Sequence, residues 1–187
     1  MELSTVIVIG VLVLLGFYLV STYNRLVRLR NQVRNGWRQI DVQLKRRHDL
    51  IPNLVETVKD YMGYEQETLR QVIEARSRAV ATEGKGPEEA LPAEQMLSGA
   101  LGRLFALMEN YPDLKANQNV ARLMEELSST ENRIAFSRQH YNDSVMAKNT
   151  AVESFPSNLV ARLFGFRHAA YFEIDTQERA VPKVSLR

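Results

Sequence analysis

An uncharged run near the N-terminus constrains the fold of this chain more than any other feature. From Leu3 to Asn24 no residue is charged, and the stretch VIVIGVLVLLGFYLV is almost wholly aliphatic. A helix needs about this length to cross a hydrocarbon core roughly 30 Å thick. The run therefore predicts a transmembrane helix, whose lipid-facing side chains include Val6, Ile7, Leu12, Leu14, Leu15 and Phe17.

A cleaved signal peptide is the alternative explanation of this run. Such a peptide would begin with basic residues and would end its apolar core at a small-x-small site. Here the start is Met1-Glu2, and the core continues into Phe17-Tyr18-Leu19. We therefore expect an uncleaved anchor.

The distribution of charge predicts the orientation of this anchor. The formal net charge is only +2, but the segment from Asn24 to His48 carries eight Lys or Arg against one acid, Asp41. By the positive-inside bias, the N-terminus lies outside and the rest of the chain lies in the cytoplasm. A periplasmic location of the C-terminal part is the alternative. Three basic residues are close enough to the span to meet anionic lipid headgroups: Arg25, Arg28 and Arg30.

Apolar residues at helical spacing continue beyond the span and cross a proline. The stripe consists of Val33, Trp37, Ile40, Leu44, Ile51, Leu54, Val58, Met62, Leu69 and Val72, with one polar slot near Arg47. Its phase is preserved across Pro52, which favours one long helix that is bent or locally opened there. Because Pro52 has no N–H to offer the His48 carbonyl, we interpret His48 and Asp49 as polar residues that serve this bend. In the alternative, Asp49 is an N-cap and Pro52 lies in the first turn of a new helix.

A metal or catalytic role for His48 and Asp49 is the competing interpretation. Adjacent residues on a helix point about 100° apart, and neither His140 nor His168 pairs with His48 at an i, i+4 spacing. The chain has no HExxH and no Gly-x-Ser-x-Gly motif, and it has no cysteine. We therefore predict no catalytic residue, no metal and no cofactor.

Further helices follow. The stretch TEGKGPEEALP is rich in loop residues and predicts a hairpin connection after Ala81. An apolar-periodic segment from Ala93 to Tyr111 and a long one from about Asn117 to Phe155 come next, separated by YPDLKANQN. The predicted fold is all-α, with an N-terminal transmembrane helix and an elongated up-and-down antiparallel bundle. The bundle has three long helices if Gly63 lies within the first of them, or four if Gly63 ends it.

The C-terminal segment differs from the helices before it. It begins with a possible cap at Ser157, continues as a short amphipathic turn and ends in an extended tail interrupted by proline. Its apolar cluster could pack on its own bundle, on a neighbouring subunit or on lipid. We predict a homo-oligomer contact through Leu159, Leu163, Phe164, Phe166 and Phe172. The predicted domains are an anchor at 1–24, a bundle at 25–155, and the amphipathic segment with its tail at 156–187.

Three stretches of the chain resemble one family. They are YNRLVRLRNQVRNGWRQIDVQLKRRHDLIPNLVETVKDY, LSGALGRLFALMENYPDLKANQNVARLMEELSSTENRIAFSRQHYN, and SFPSNLVARLFGF with ERAVPKV. Together they are similar to the LemA family of bacterial membrane proteins. The resemblance implies an N-terminal transmembrane helix followed by an up-and-down bundle of long helices, and it carries over no catalytic residue.

These observations favour a non-enzymatic, membrane-anchored scaffold that self-associates or docks partner proteins. The alternative is an accessory subunit of a membrane enzyme such as a zinc protease, an idea that rests on the family resemblance. The expected partners are the lipid bilayer, further copies of the chain and other membrane proteins. No nucleic-acid partner is expected, because the basic run is juxtamembrane and lacks aromatic residues spaced for base stacking.

Overall fold

All regular secondary structure in the described part of the chain is helical. A computed structural model describes residues 2–173, and that range contains six helices and no strand. The helices are α1 (Leu3–Lys59), α2 (Gln66–Val80), α3 (Pro87–Met108), α4 (Pro112–Ala116), α5 (Gln118–Glu153) and α6 (Ser157–Leu163). The prediction of an all-α fold is confirmed.

Helix α1 continues through its proline and ends well beyond it. Pro52 lies inside this helix, so the alternative in which Asp49 caps a new helix is wrong. The helix ends at Lys59, and Gly63 lies in the turn that separates α1 from α2. The sequence left three or four long helices open, and the described residues form four: α1, α2, α3 and α5.

Helix α3 begins earlier than the loop composition before it predicts. The stretch from Thr82 to Pro92 was expected to be a connection, but the helix begins at Pro87 and includes Pro92. Pro87 occupies the start of the helix, where a missing N–H costs nothing, and Glu88 and Glu89 complement the helix dipole in the first turn. The connection between α2 and α3 is therefore short, and the two helices pack against each other as a hairpin.

The described residues group into two compact units, and α1 and α5 contribute to both. The first unit contains α1 up to Arg46 and the stretch Ser128–Tyr171, whereas the second contains Arg47–Leu127 together with Phe172 and Glu173.

The first unit is held together by residues of α1 and α5 at helical spacing. Leu26, Ile40, Ile134, Tyr141 and Val145 are buried in it. The Trp37 and Tyr141 rings meet edge to face with their centroids 5.9 Å apart. Gly36 permits this approach, because a Cβ built there would lie 3.2 Å from the Tyr141 Cα.

The second unit has a continuous apolar core. It is formed by Ile51, Leu54, Val58, Met62, Leu69, Val72, Ala75, Ala79, Leu97, Ala100, Leu101, Leu104, Met108, Leu114, Val120 and Leu127. The apolar stripe predicted from the sequence supplies the first six of these residues. Burial of each large side chain contributes on the order of 1.5–3 kcal/mol before ordering costs, so this core is the main source of stability in the unit.

Candidate functional site

The first candidate site is the apolar beginning of α1. Every side chain from Leu3 to Ser21 is exposed, including the predicted lipid-facing residues; for example, Phe17 is 75% exposed. Among the described residues, α1 is the one helix long and apolar enough to cross a membrane, a test that an N-terminal signal sequence also passes. Arg25, Arg28 and Arg30 follow the apolar run and are exposed.

Helix α6 packs beside the end of the apolar run. The side chain of Leu26 is fully buried against Ala151, Val160 and Ala161. Since Ser157, Val160 and Ala161 recur at three- and four-residue steps, they form the inner face of α6. This face fixes the position of α6 against the turn of α1 that follows the span.

Ser157 supports this packing in a way that the sequence did not predict. It was expected to cap α6, but it is the first helical residue, and the one proton of its hydroxyl is shared between the Ala151 carbonyl at 2.7 Å and the Ser154 carbonyl at 2.9 Å. A hydroxyl can serve the carbonyls of the preceding turn when it is buried there and water cannot reach it. Ser157 thus attaches α6 to the end of α5.

The chain after α6 is also attached to α5. Gly165 has a φ of +69°, and the Phe166 N–H donates to the Ala161 carbonyl at 2.9 Å. This is a Schellman-type helix end, which turns the Phe166 ring inward. The ring lies 5.8 Å from the Tyr23 ring, centroid to centroid, and the Arg30 guanidinium lies 5.4 Å from its centroid.

Hydrogen bonds from three α5 side chains hold the following residues. Lys148 Nζ donates to the Arg167 carbonyl at 2.6 Å, the Asn149 amide exchanges two hydrogen bonds with Ala169, and the Tyr141 hydroxyl donates to the Ala170 carbonyl at 2.8 Å. Burial, assisted by the charge of Arg30, lowers the pKa of Lys148. This segment is therefore built into the first unit.

The predicted oligomer-contact residues have different environments. Leu159, Leu163 and Phe164 are 58%, 72% and 54% exposed. Phe166 is partly buried against its own chain. Phe172 is 2% exposed, so its ring has almost no surface left to offer to another subunit.

The second candidate site is a buried charge cluster in the second unit. Arg47 and His48 of α1 are 2% and 1% exposed, and Glu94 of α3 is 4% exposed. The Arg47 guanidinium pairs with one Glu94 oxygen, while His48 Nε2 lies 2.8 Å from the other. His48 Nδ1 lies 2.8 Å from Glu83, which follows α2, and Arg47 also donates to the Ser98 hydroxyl at 3.2 Å. Below we call Arg47, His48, Glu83 and Glu94 the charge cluster.

The geometry favours a protonated His48. Only an imidazolium can donate from both ring nitrogens, and each nitrogen faces a carboxylate. Burial alone would lower the pKa of His48, but the hydrogen bonds to Glu94 and Glu83 outweigh it and the pKa is raised. Burial would likewise raise the pKa of Glu94, but the His48 hydrogen bond and the Arg47 charge outweigh it and the pKa is lowered. Each charge thereby stabilises the other in a dry environment.

The residues predicted to serve the bend have different roles. The His48 carbonyl, which Pro52 leaves without its helical partner, accepts a hydrogen bond of 2.7 Å from Arg76 Nε of α2. Asp49 is exposed. The carbonyl that Pro52 leaves without a helical donor thus makes a contact between α1 and α2. The His48 ring has a separate role in the charge cluster.

Three members of the charge cluster, Arg47, His48 and Glu94, are not placed for catalysis. A general base must reach the proton that it removes, and these three side chains are at most 4% exposed. Within residues 2–173, no group of three His, Cys, Asp or Glu side chains is arranged to hold a metal ion. A cavity of about 200 Å³ in the same unit is lined by Phe105, Met108, Leu114, Val120, Ala121 and Met124, with Glu109 as its one ionisable residue.

Sequence reasoning found half of the charge cluster. The polar slot at Arg47 in the apolar stripe of α1 was visible, but its partner was missed. Glu94 lies between Ala90 and Leu97 at steps of four and three, on the face that α3 buries. Glu94 and Arg47 each occupy a core position of a helix, and buried charges need a partner of opposite sign. This pattern could have predicted their pairing from the sequence.

The chain was compared with known proteins. The model of the LemA family matches residues 36–186. Protein LemA of Metamycoplasma hominis is 28% identical over 165 residues, which cover 87% of this chain and 74% of that protein. Magnetosome protein MamQ 2 of Paramagnetospirillum magneticum is 26% identical over 89% of this chain and 71% of its own length. Magnetosome protein MamQ of Magnetospirillum gryphiswaldense is 26% identical over 88% and 70%.

Proposed function

Because the chain belongs to the LemA family, and because the apolar run and the core residues lie on the same helix, we propose that it is a membrane-anchored, non-enzymatic helical scaffold. It self-associates or docks partner proteins at a bacterial membrane. The observation that carries this proposal is the continuity of α1. This helix is unbroken from the fully exposed apolar run to Lys59, which belongs to the second unit.

A scaffold role suits the way in which the ionisable residues are used. The charge cluster joins α1 to α3 through Glu94 and to the turn after α2 through Glu83, which is a structural task. The names of the relatives give no reaction, and two of them name a magnetosome protein. Neither these names nor the described residues point to a membrane enzyme as the partner, so the scaffold is the single function proposed.

The experiment that tests the scaffold compares the full chain with a variant that cannot insert. A proximity-labelling ligase fused after Arg187 reports the neighbours of each protein in cells. Leu12→Arg with Leu15→Arg places two charges in the span and should abolish insertion, whereas Leu12→Ala with Leu15→Ala should preserve it. We expect the parent and the alanine variant to label the same small set of membrane proteins, and the arginine variant to lose that set.

Native mass spectrometry of the detergent-extracted chain measures self-association. We expect masses above the 21.4 kDa monomer. A monomeric parent whose labelled neighbours match those of the arginine variant would contradict the scaffold proposal.

The proposed orientation places the C-terminal part in the cytoplasm, since eight basic residues follow the span and Glu2 precedes it. Alkaline phosphatase is active only outside the cytoplasm, so a fusion after Arg187 should be inactive in cells. A highly active fusion would instead place this part of the chain in the periplasm.

A further inference from the structure

Helix α6 has a second set of apolar side chains, which the described residues 2–173 leave more than half exposed. Its inner face is buried on Leu26, yet Leu159, Leu163 and Phe164 stay more than half exposed. Leu159 and Leu163 are four residues apart and therefore share one side of the helix, and Phe164 ends it. We call these three residues the outer face of α6.

The outer face lies at the point where the apolar run of α1 ends. Phe164 contacts Tyr23, with ring centroids 4.8 Å apart, and Tyr23 is the last residue but one of the uncharged run. If the run spans a bilayer, Tyr23 lies at the interface, where aromatic residues concentrate. The contact with Tyr23 then places Phe164, at the end of α6, at the same level.

Charge around the outer face distinguishes between two possible occupants. Arg25, Arg28, Arg162 and Arg167 are all exposed, and they lie on α1, on α6 or just after it. Two copies meeting through this face would bring together arginines of like charge. Anionic lipid headgroups would instead pair with them, while the acyl boundary takes the apolar side chains.

We propose that the outer face of α6 is a membrane-contact surface that inserts into the headgroup and acyl boundary of the leaflet from which α1 emerges. The inner-face packing, the Schellman-type end and the hydrogen bonds from α5 hold this surface in place before it meets lipid. The first unit would then contact the membrane twice, through the span and through α6, which restricts its tilt. This assignment replaces the subunit contact predicted from sequence for Leu159, Leu163 and Phe164, and it rests on the proposed anchoring.

The chain has no cysteine, so single cysteines can report the environment of chosen positions. The full chain carries Leu163→Cys, labelled with the fluorophore NBD, and is reconstituted into vesicles of phosphatidylcholine and phosphatidylglycerol. Quenching by nitroxide on the lipid acyl chains is compared with quenching by a water-soluble nitroxide. Leu12→Cys is the control within the span, and Phe136→Cys is the control at an exposed aromatic residue of α5 that is 76% exposed.

We expect the label at position 163 to show blue-shifted emission and to be quenched by the lipid nitroxide, as position 12 is, while position 136 responds mainly to the aqueous quencher. Aqueous quenching at 163 combined with lipid quenching at 12 would overturn the membrane-contact surface and leave the anchor intact. Disulfide-linked dimers of unlabelled Leu163→Cys, with a label at 163 shielded from both quenchers, would assign the face to a second copy and also overturn it. Aqueous quenching at position 12 would overturn the anchor itself.

Discussion

Removing the Glu94 carboxylate should destabilise the second unit far more than removing an exposed carboxylate from the same helix. Glu94→Leu keeps a side chain of similar size but takes away the acceptor shared by Arg47 and His48. His48 retains Glu83, which is partly exposed, whereas the Arg47 guanidinium loses the carboxylate that balances its charge.

The magnitude follows from burial. Removing one partner of a buried ion pair costs about 3–5 kcal/mol, because the other charge remains in a dry environment. The matched control is Glu89→Leu, since Glu89 is exposed on α3 and lies 3.4 Å from an exposed Lys85. An exposed pair of this kind contributes about 0–1 kcal/mol.

Thermal unfolding of the full chain in detergent, followed by far-UV circular dichroism, measures both variants. In a chain of this length each kcal/mol changes Tm by about 2–4 °C, so we expect Glu94→Leu to lower Tm by about 6–20 °C and Glu89→Leu by about 4 °C at most. A second substitution, Arg47→Met, removes the guanidinium that pairs with Glu94. Because apolar pairs often replace buried ion pairs without loss, the double variant should recover most of the Tm.

Two results would refute this reasoning. If Glu94→Leu has the same Tm as Glu89→Leu, the buried Arg47 guanidinium does not need the Glu94 carboxylate. If the double variant melts as low as Glu94→Leu alone, the loss arises from packing around position 94 and has nothing to do with an unbalanced guanidinium.

Three further predictions concern pH and backbone contacts. The pKa of His48 is raised above its ordinary value of about 6.5. The stability that protonated His48 contributes is therefore complete below pH 6.5 and is lost as pH rises through the raised pKa. Tm should fall as the buffer becomes alkaline, and His48→Gln should reduce this dependence. Arg76→Met removes the donor to the His48 carbonyl and should cost about 1–3 kcal/mol of stability. Adding Pro52→Ala returns an N–H to that carbonyl and should recover part of the loss. Equal Tm values for the single and double variants would contradict the contact. Gly102→Ala adds a methyl group in open space and should stabilise α3 by about 0.5–1 kcal/mol. The Cβ of Gly36→Ala would lie 3.2 Å from the Tyr141 Cα, so this substitution should leave stability unchanged or lower it. Urea unfolding measures both variants, and an equal gain in stability would contradict the close approach at Gly36.

Periodicity determined most of the architecture. Apolar residues at steps of three and four lie on one face of a helix, which is the face that the helix buries. The buried residues from Val33 to Val72 and from Val120 to Val145 could therefore be predicted from local sequence. Composition likewise indicated the hairpin after α2. The start of α3 was misplaced because proline and glycine mark both loops and helix beginnings, and the two uses differ only in which residues follow.

By itself, the sequence determined the helical class, the apolar run with its basic flank and the polar slot at Arg47, and it favoured one continuous helix across Pro52. Each of these depends on residues a few positions apart, where spacing along the chain fixes spacing in a helix. Only the tertiary structure decided that Glu94 neutralises this slot, that Arg76 serves the His48 carbonyl, and that α6 packs on Leu26 with its outer face exposed. These partners are separated by 28 or more residues, and a helical pattern shows which face is buried but not which side chain of another helix will meet it.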